Sequence, residues 1–310
     1  MEADKTLKRT VAASQQTVRA HLRIVRQPAV WFLLPSVLIL CVFVFYPMGK
    51  TIYNSFFAAN VRGEAVKFVG WANYRTLFKD PLFLKSLSET FVFVLVFAVL
   101  TLLIGIVLAR LATLKLRRMK VFRTAFAGTM GTSAAAAAIL WLFLFNPSVG
   151  MVHLMLKAIG LPNVNLLVTP LGAQIVVILT SVWMALGFAF LILLSAFQNV
   201  APEYYEVAAI AGWSDWQQTL KITVPMISPT LFFLFVIEVI DGFKMFAQID
   251  LITGGGPDNA TNFLAYKIYL DAFVFHHVGI ASAESVILTV LIIFVTWIQF
   301  HYTERKVYYA

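Results

Sequence analysis

Glu238, Asp241 and Lys244 recur at every third position of an otherwise apolar run, "FFLFVIEVIDGFKMF" (232–246). On a helix such residues are separated by about 4.5 Å of rise and share one slowly drifting stripe. An ionisable group at membrane depth costs about 2.5–3.5 kcal/mol on insertion scales unless it is paired or wet. The stripe should therefore point inward. Three chemistries fit it: Lys244 as an internal strut to Asp241 or Glu238, a solute path with Phe243 and Phe246 as aromatic faces, or a set near the interface that snorkels. Trp183 and Asn146, on neighbouring segments, are further candidates for such a path. Other reactive constellations are missing from the sequence. There is no G-x-x-x-x-G-K-[ST] loop to cradle nucleotide phosphates. The five histidines are scattered, which argues against a metal centre. No Ser, His and Asp residues group as a nucleophilic triad. The expectation is a chain with no catalytic residues, no metal and no cofactor of its own.

The elements that must hold the stripe are membrane spans. Apolar residues make up 60% of the 310 and charged residues 13%, with mean hydropathy +0.84, which places the chain outside ordinary soluble domains. Six segments approach the ~20 apolar residues needed to cross a bilayer: 29–49, 90–112, 124–145, 173–197, 226–249 and 281–301. The first is too long and too far from the N-terminus for a cleaved signal peptide. The single cysteine, Cys41, lies within it, so no intrachain disulfide is expected. Lys and Arg are retained on the cytoplasmic side, and with both termini inside they divide fifteen to eight in favour of the inner segments. The net charge of +9 then reads as topology and lipid contact, not nucleic-acid binding. Residues 1–27 form a basic tail, either an amphipathic helix on the inner leaflet or a disordered positive segment. Segments 50–89 and 146–172 are loops long enough for short helices, with Pro147, Pro162 and Pro170 in the second. The small-residue run "GTMGTSAAAAAILW" (128–141) lets backbones approach closely, so the third span is expected at the bundle's centre.

A second polar stretch, "EYYEVAAIAGWSDW" (203–216), interrupts this apolar pattern. Pro202 suits a first helical turn, Glu203 and Glu206 lie near the positive end of that helix, and Gly212 can close it in a left-handed cap. Ser214 and Gln217 have the spacing of a capping box, which predicts a second short helix before Pro225. Ala208 and Ala209 leave one side flat. Tyr204, Tyr205, Trp213 and Trp216 supply large contact groups, as a helix that docks into another protein requires.

Glu206, Ala208, Gly212, Ile222 and Pro225 have the spacing of the cytoplasmic loop in permease subunits of binding-protein-dependent ABC importers, which the chain resembles. Val207 and Ala211 depart from that loop's usual alanine and aspartate. "ILWLFLFNPSVGMV" (139–152), "GGGPDNAT" (254–261) and "YKIYLDAF" (266–273) resemble the carbohydrate-uptake permeases related to the maltose system, and the C-terminal run from Ser285 resembles the glycerol-3-phosphate branch. The resemblance implies an all-α type I permease: a tail at 1–27 and a six-helix domain at 28–310, with a coupling loop at 200–225 in which Glu203, Glu206, Ala208, Ala209, Gly212, Trp213, Ile222 and Pro225 contact the ATPase. It also implies a second homologous permease, two ATPase subunits carrying ATP and magnesium, an extracytoplasmic solute-binding protein, and a bacterial or archaeal plasma membrane. The solute would be a sugar, a polyol or a glycerol-3-phosphate-like molecule. In the related importers the "GGGPDNAT" loop faces outward near the path. An ion-driven secondary transporter or channel is the alternative, and it would require related halves and a buried set of paired charges.

Overall fold

The computed structural model describes residues 28–60, 62–114, 119–160 and 165–303. The basic tail at 1–27, Lys115, Arg117, Arg118, Pro162, Arg305 and Lys306 lie outside them. The chain divides into two compact units, Met1–Tyr53 and Asn54–Ala310. The described part of the first is helical: α1 runs over Pro28–Leu40, passes a π turn at Cys41–Phe45 and continues as Tyr46–Asn54. Its Trp31–Asn54 stretch is long and apolar enough to span a bilayer.

In the second unit, the loop expected to form short helices first makes a hairpin. Strand β1 (Phe57–Ala59) pairs antiparallel with β2 (Ala65–Phe68), Phe57 opposite Phe68. The Asn60 side chain directs it, because its Oδ1 accepts from the amides of Arg62 and Glu64, both at 3.0 Å, and competes with helical bonding. A short helix, α2 (Ala72–Leu77), follows.

The next helix, α3 (Pro81–Thr113), begins nine residues before the expected 90. Asp80 caps it by accepting from Leu82 N, and Pro81 occupies its first turn. Helix α7 (Pro170–Gln198) starts the same way on Thr169 and Pro170. Between them lie α4 (Met119–Ala127), a 3-10 turn at Gly128–Gly131, α5 (Ala134–Leu144) and α6 (Met151–Ala158). The third apolar segment is thus not one span: Met119–Gly131 and Ala134–Leu144 meet at 110°. Thr132 and Ser133 are extended there, and Ser133 accepts from Ala136 N to start a new helix. The fifth segment is also bent, by 75°, between α9 (Asp215–Met226) and α10 (Ser228–Phe243). Pro229, in the first turn of α10, lacks an amide to continue the preceding turn. Helix α10 stops at Phe243, short of the expected 249, and a separate α11 spans Ala247–Ile252. Helix α12 (Leu264–Tyr269) and the last span, α13 (Val278–Ile298), complete the unit. Four helices are long and apolar enough to cross a membrane, or six if each bent pair is one span. The chain is therefore an all-α membrane architecture with one small hairpin.

The centre of this unit is formed by α3, α7 and α10, not by the third segment as expected. Phe93, Phe97, Val177, Leu186, Val239 and Phe243 form the main buried cluster, and Ala109, Leu193, Phe197 and Leu234 a second. The third segment touches α7 through its turn. A Cβ on Gly187 would stand 2.4 Å from Thr129 Oγ1 and 2.6 Å from Met130 N, so the close approach depends on glycine in α7.

Candidate functional site

The expected docking turn has the predicted local geometry. Helix α8 (Pro202–Ile210) starts on Pro202 with Glu203 in its first turn and ends where Gly212 adopts φ +74°. Trp213 N donates to Ala208 O and Gly212 N to Ala209 O, both at 3.0 Å; these two bonds define a Schellman cap, and glycine holds its left-handed residue without steric cost. The capping box then closes in both directions, with Ser214 N donating to Gln217 Oε1 at 2.8 Å and Gln217 N to Ser214 Oγ at 3.4 Å. Ala208 is buried against the chain itself and Ile222 is half-buried, whereas Glu203, Glu206, Ala209, Gly212, Trp213 and Pro225 are exposed. Val207, 67% exposed, and Ile210, 89% exposed, present apolar surface together with Tyr204 and Trp216. The turn is anchored behind: Tyr205 and Thr223 share a hydroxyl hydrogen bond of 2.9 Å, and Asp215 pairs with Arg110 of α3 at 3.3 Å. The Lys221 ammonium lies 5.0 Å over the Trp213 ring.

The second candidate region is a hollow of about 390 Å³ between α3, α7 and α10, lined in part by Phe97, Ser181, Phe188, Glu238, Asp241 and Gln248. Glu238 is buried, as inward pointing predicts. Lys244 is not on the same helical stripe: α10 has ended, and Lys244 is its C-cap residue. Its ammonium reaches back to Asp241 Oδ1 at 2.9 Å, with both side chains more than half exposed. Three other path candidates lie elsewhere. Phe243 turns into the core against Phe91, ring centroids 5.6 Å apart; Trp183 packs edge-on to Trp141 at 6.0 Å; Asn146 caps its own turn by accepting from Ser148 N at 2.9 Å and Val149 N at 3.2 Å. Phe246 begins an aromatic series, 4.9 Å from Tyr269, which is 5.5 Å from Phe273.

The glycine-rich loop after α11 is tied down. Lys85 Nζ donates to Asp258 O at 2.7 Å, Gln174 Nε2 to Ala260 O at 2.9 Å, and Thr261 Oγ1 to Gly256 O at 2.8 Å. Beside it lies a charge cluster that the sequence reading missed. Lys267, one of the eight cations that the sequence assigns to the outer segments, is buried, with Nζ 2.6 Å from Asp271 Oδ2 and 2.7 Å from Glu284 Oε1. Asp80 Oδ2 stands 3.8 Å away. Burial pulls the Lys267 ammonium towards neutrality, but its bonds to the two carboxylates outweigh that and hold its pKa above the ordinary lysine value. Tyr266 next to it is raised by burial first and then by the charge and hydrogen bond of Asp250. The i,i+4 spacing of Lys267 and Asp271, with an acid inside the last apolar run, was the available signal.

Residues 120–307 match the family model described as binding-protein-dependent transport system inner membrane component. The chain belongs to that family. As one of these permease components it is a transport subunit, not an enzyme, which sets aside the ion-driven alternative despite the buried charges. It is 35% identical over 277 residues to the sn-glycerol-3-phosphate transport system permease protein UgpA of Yersinia enterocolitica, covering 89% of this chain and 94% of the relative. It is 34% identical over 282 residues to the UgpA of Brucella abortus, covering 90% and 96%. Among solved structures it resembles a chain of a bacterial ABC transporter involved in import of the acidic polysaccharide alginate, with TM-score 0.80, 24% identity, and coverage of 93% of this chain and 99% of that one. A chain of an alginate transporter in complex with its pentasaccharide-bound periplasmic protein gives TM-score 0.78 at 23% identity, covering 94% and 96%. The likeness to these two is one of fold.

Proposed function

We propose that this permease moves a polyhydroxylated solute, a sugar, polyol or glycerol-3-phosphate-like molecule, into the cell. Residues 28–310 are the permease domain, with the 1–27 tail and the C-terminus in the cytoplasm of a bacterial or archaeal cell. A second homologous permease completes the path, and a solute-binding protein delivers the solute from outside. Two ATPase subunits, which carry ATP and magnesium, dock on the coupling loop at 200–225. The observation that carries this reading is the capped α8–α9 turn, which turns Tyr204, Val207, Ile210 and Trp216 outward while its own backbone groups are satisfied. A soluble cleft would cover such a surface; lipid would not need the glutamates. In this reading Glu206 supplies the charge of the contact and Gly212 its direction.

Replacing Gly212 with valine or Glu206 with lysine tests the assignment. Valine at a left-handed position costs about 1–2 kcal/mol locally, enough to change the population of a docked geometry roughly five- to thirty-fold. Both variants should insert normally, retain less ATPase through purification in mild detergent, and lose uptake. Normal complexes and normal uptake in both refute the assignment.

A further inference from the structure

A second groove, of about 330 Å³, runs between α3, α10 and α13. Its walls are apolar and include Phe91, Val92 and Leu95 of α3, Phe235 and Val239 of α10, and Val295 of α13. On α10 the groove residues Phe235, Val239 and Phe243 repeat at i, i+4 and i+8 and so share one stripe. Ile237, Glu238 and Asp241, which line the hollow, lie on the opposite side of that helix. Phe97 of α3, also a hollow residue, stands in the same relation to Phe91 and Leu95. In the importer reading the second permease closes the path on the hollow's side. The groove is then left to the bilayer, and its mouth is open, with Val92 58% and Leu95 59% exposed.

One end of this apolar groove carries an amide. Gln299 lines it and is buried, and neither its Nε2 nor its Oε1 has a hydrogen-bond partner among the described residues. Buried polar groups are nearly always paired, so this amide marks the place of a partner that the described chain does not supply. Its depth says of what kind. Helix α13 begins at Val278 and Gln299 is its C-cap residue, a rise of about 30 Å, which matches the hydrocarbon thickness of a bilayer. Gln299 therefore stands at the far interface, the inner one in the proposed topology. Trp297, exposed and stacked on His301 at 5.3 Å, sits where interfacial aromatics collect. Acyl chains alone give an amide nothing to bond. At this level a phospholipid presents ester carbonyls, which accept from Nε2, and headgroup N–H or O–H groups, which donate to Oε1. The apolar length from Phe235 to Phe243, about 12 Å along α10, suits the chain that hangs from them.

We propose that this groove holds an acyl chain of an inner-leaflet phospholipid, with Gln299 hydrogen-bonded to the ester and headgroup of the same molecule. For the test, the complete complex is reconstituted in vesicles of phosphatidylethanolamine and phosphatidylglycerol with a trace of phosphatidylethanolamine carrying a photoactivatable diazirine in its acyl chain. Labelled positions are mapped by mass spectrometry. Label at Leu95 and Val295 should exceed that at Leu103, a comparably exposed α3 residue outside the groove, by about fivefold, the factor that one net hydrogen bond is worth. Equal label at Leu95 and Leu103 means ordinary annular contact and overturns the proposal. Gln299→Leu, which removes the polar anchor, and Val92→Trp, which fills the mouth from an exposed position, should each bring the groove label down to the Leu103 level. Complex yield in detergent reports folding of both, and unchanged groove label at normal yield overturns the proposal; the wild-type comparison decides it if neither variant assembles. A phosphatidylcholine probe, whose quaternary nitrogen has no N–H, should label the groove less than the phosphatidylethanolamine probe, and equal labelling refutes the headgroup bond. Cysteine at Leu95 that crosslinks to the second permease or to α1, with no lipid label there, shows a protein helix in the groove and also overturns the proposal. A chain that purifies without any ATPase counts against the importer reading instead, and the lipid label is scored separately from it.

Discussion

Replacing Lys267 with methionine should be among the most damaging single changes in this chain. The ammonium lies within 2.6–2.7 Å of two carboxylates, and the side chains of Lys267, Asp271 and Glu284 are 7%, 11% and 0% exposed. Methionine preserves much of the volume but leaves both acids without their cation. Breaking a buried pair by removing one partner costs about 3–5 kcal/mol. For a chain of this size about 2–3 °C of melting temperature accompanies each kcal/mol, so a fall of roughly 6–15 °C is expected from these two figures. Differential scanning fluorimetry in detergent measures it. Adding Asp271→Asn and Glu284→Gln to Lys267→Met removes the orphaned charges and should recover most of the loss. The pH dependence has a definite sign. A lysine whose folded pKa exceeds the unfolded 10.5 contributes stability fully below that unfolded value and loses it only as pH rises through the folded value. Lys267 deprotonation should therefore cause no loss of stability between about pH 6 and 9. A Lys267→Met melting temperature within about 2 °C of wild type, or a triple variant no more stable than the single one, refutes the argument.

Gly187→Ala puts a methyl group where Thr129 and Met130 backbone stand closer than 3 Å, so it should cost about 1–3 kcal/mol and lower the melting temperature without altering ATPase retention. A wild-type melting temperature would mean that the third segment does not lean on α7. Cysteine at the exposed Asp258 should react with a membrane-impermeant maleimide added to intact cells. Reaction only in inverted vesicles would reverse the proposed topology.

Features set by neighbours in the chain were readable from sequence. Pro202, Gly212 and the Ser214–Gln217 pair each act within a few residues, and the helix, bend and second helix they predict are all present. Glu238 was readable as inward for a related reason, since an acid in an apolar helix has few places to go. What tertiary contacts decide was not readable. The 110° break at Thr132–Ser133 follows no proline and depends on α7 offering a glycine to the turn. The stop of α10 at Phe243 removed Lys244 from a stripe that spacing alone had drawn. Lys267 looked like one more outer cation because its two acids come from a π turn and from a helix seventeen residues on.

The double cap at the α8–α9 corner also has a mechanical side. From Ala211 to Ser214 every backbone amide donates within the corner, and the flanking pieces are pinned by Tyr205–Thr223 and Arg110–Asp215. A corner built this way has low compliance: a push on its tip is transmitted as displacement of the ends of α3 and α9 instead of being dissipated in rearranged loop torsions. In the importer proposed above, with ATP hydrolysed on a separate polypeptide docked at this corner, the stiffness of that elbow would set how much of each stroke arrives.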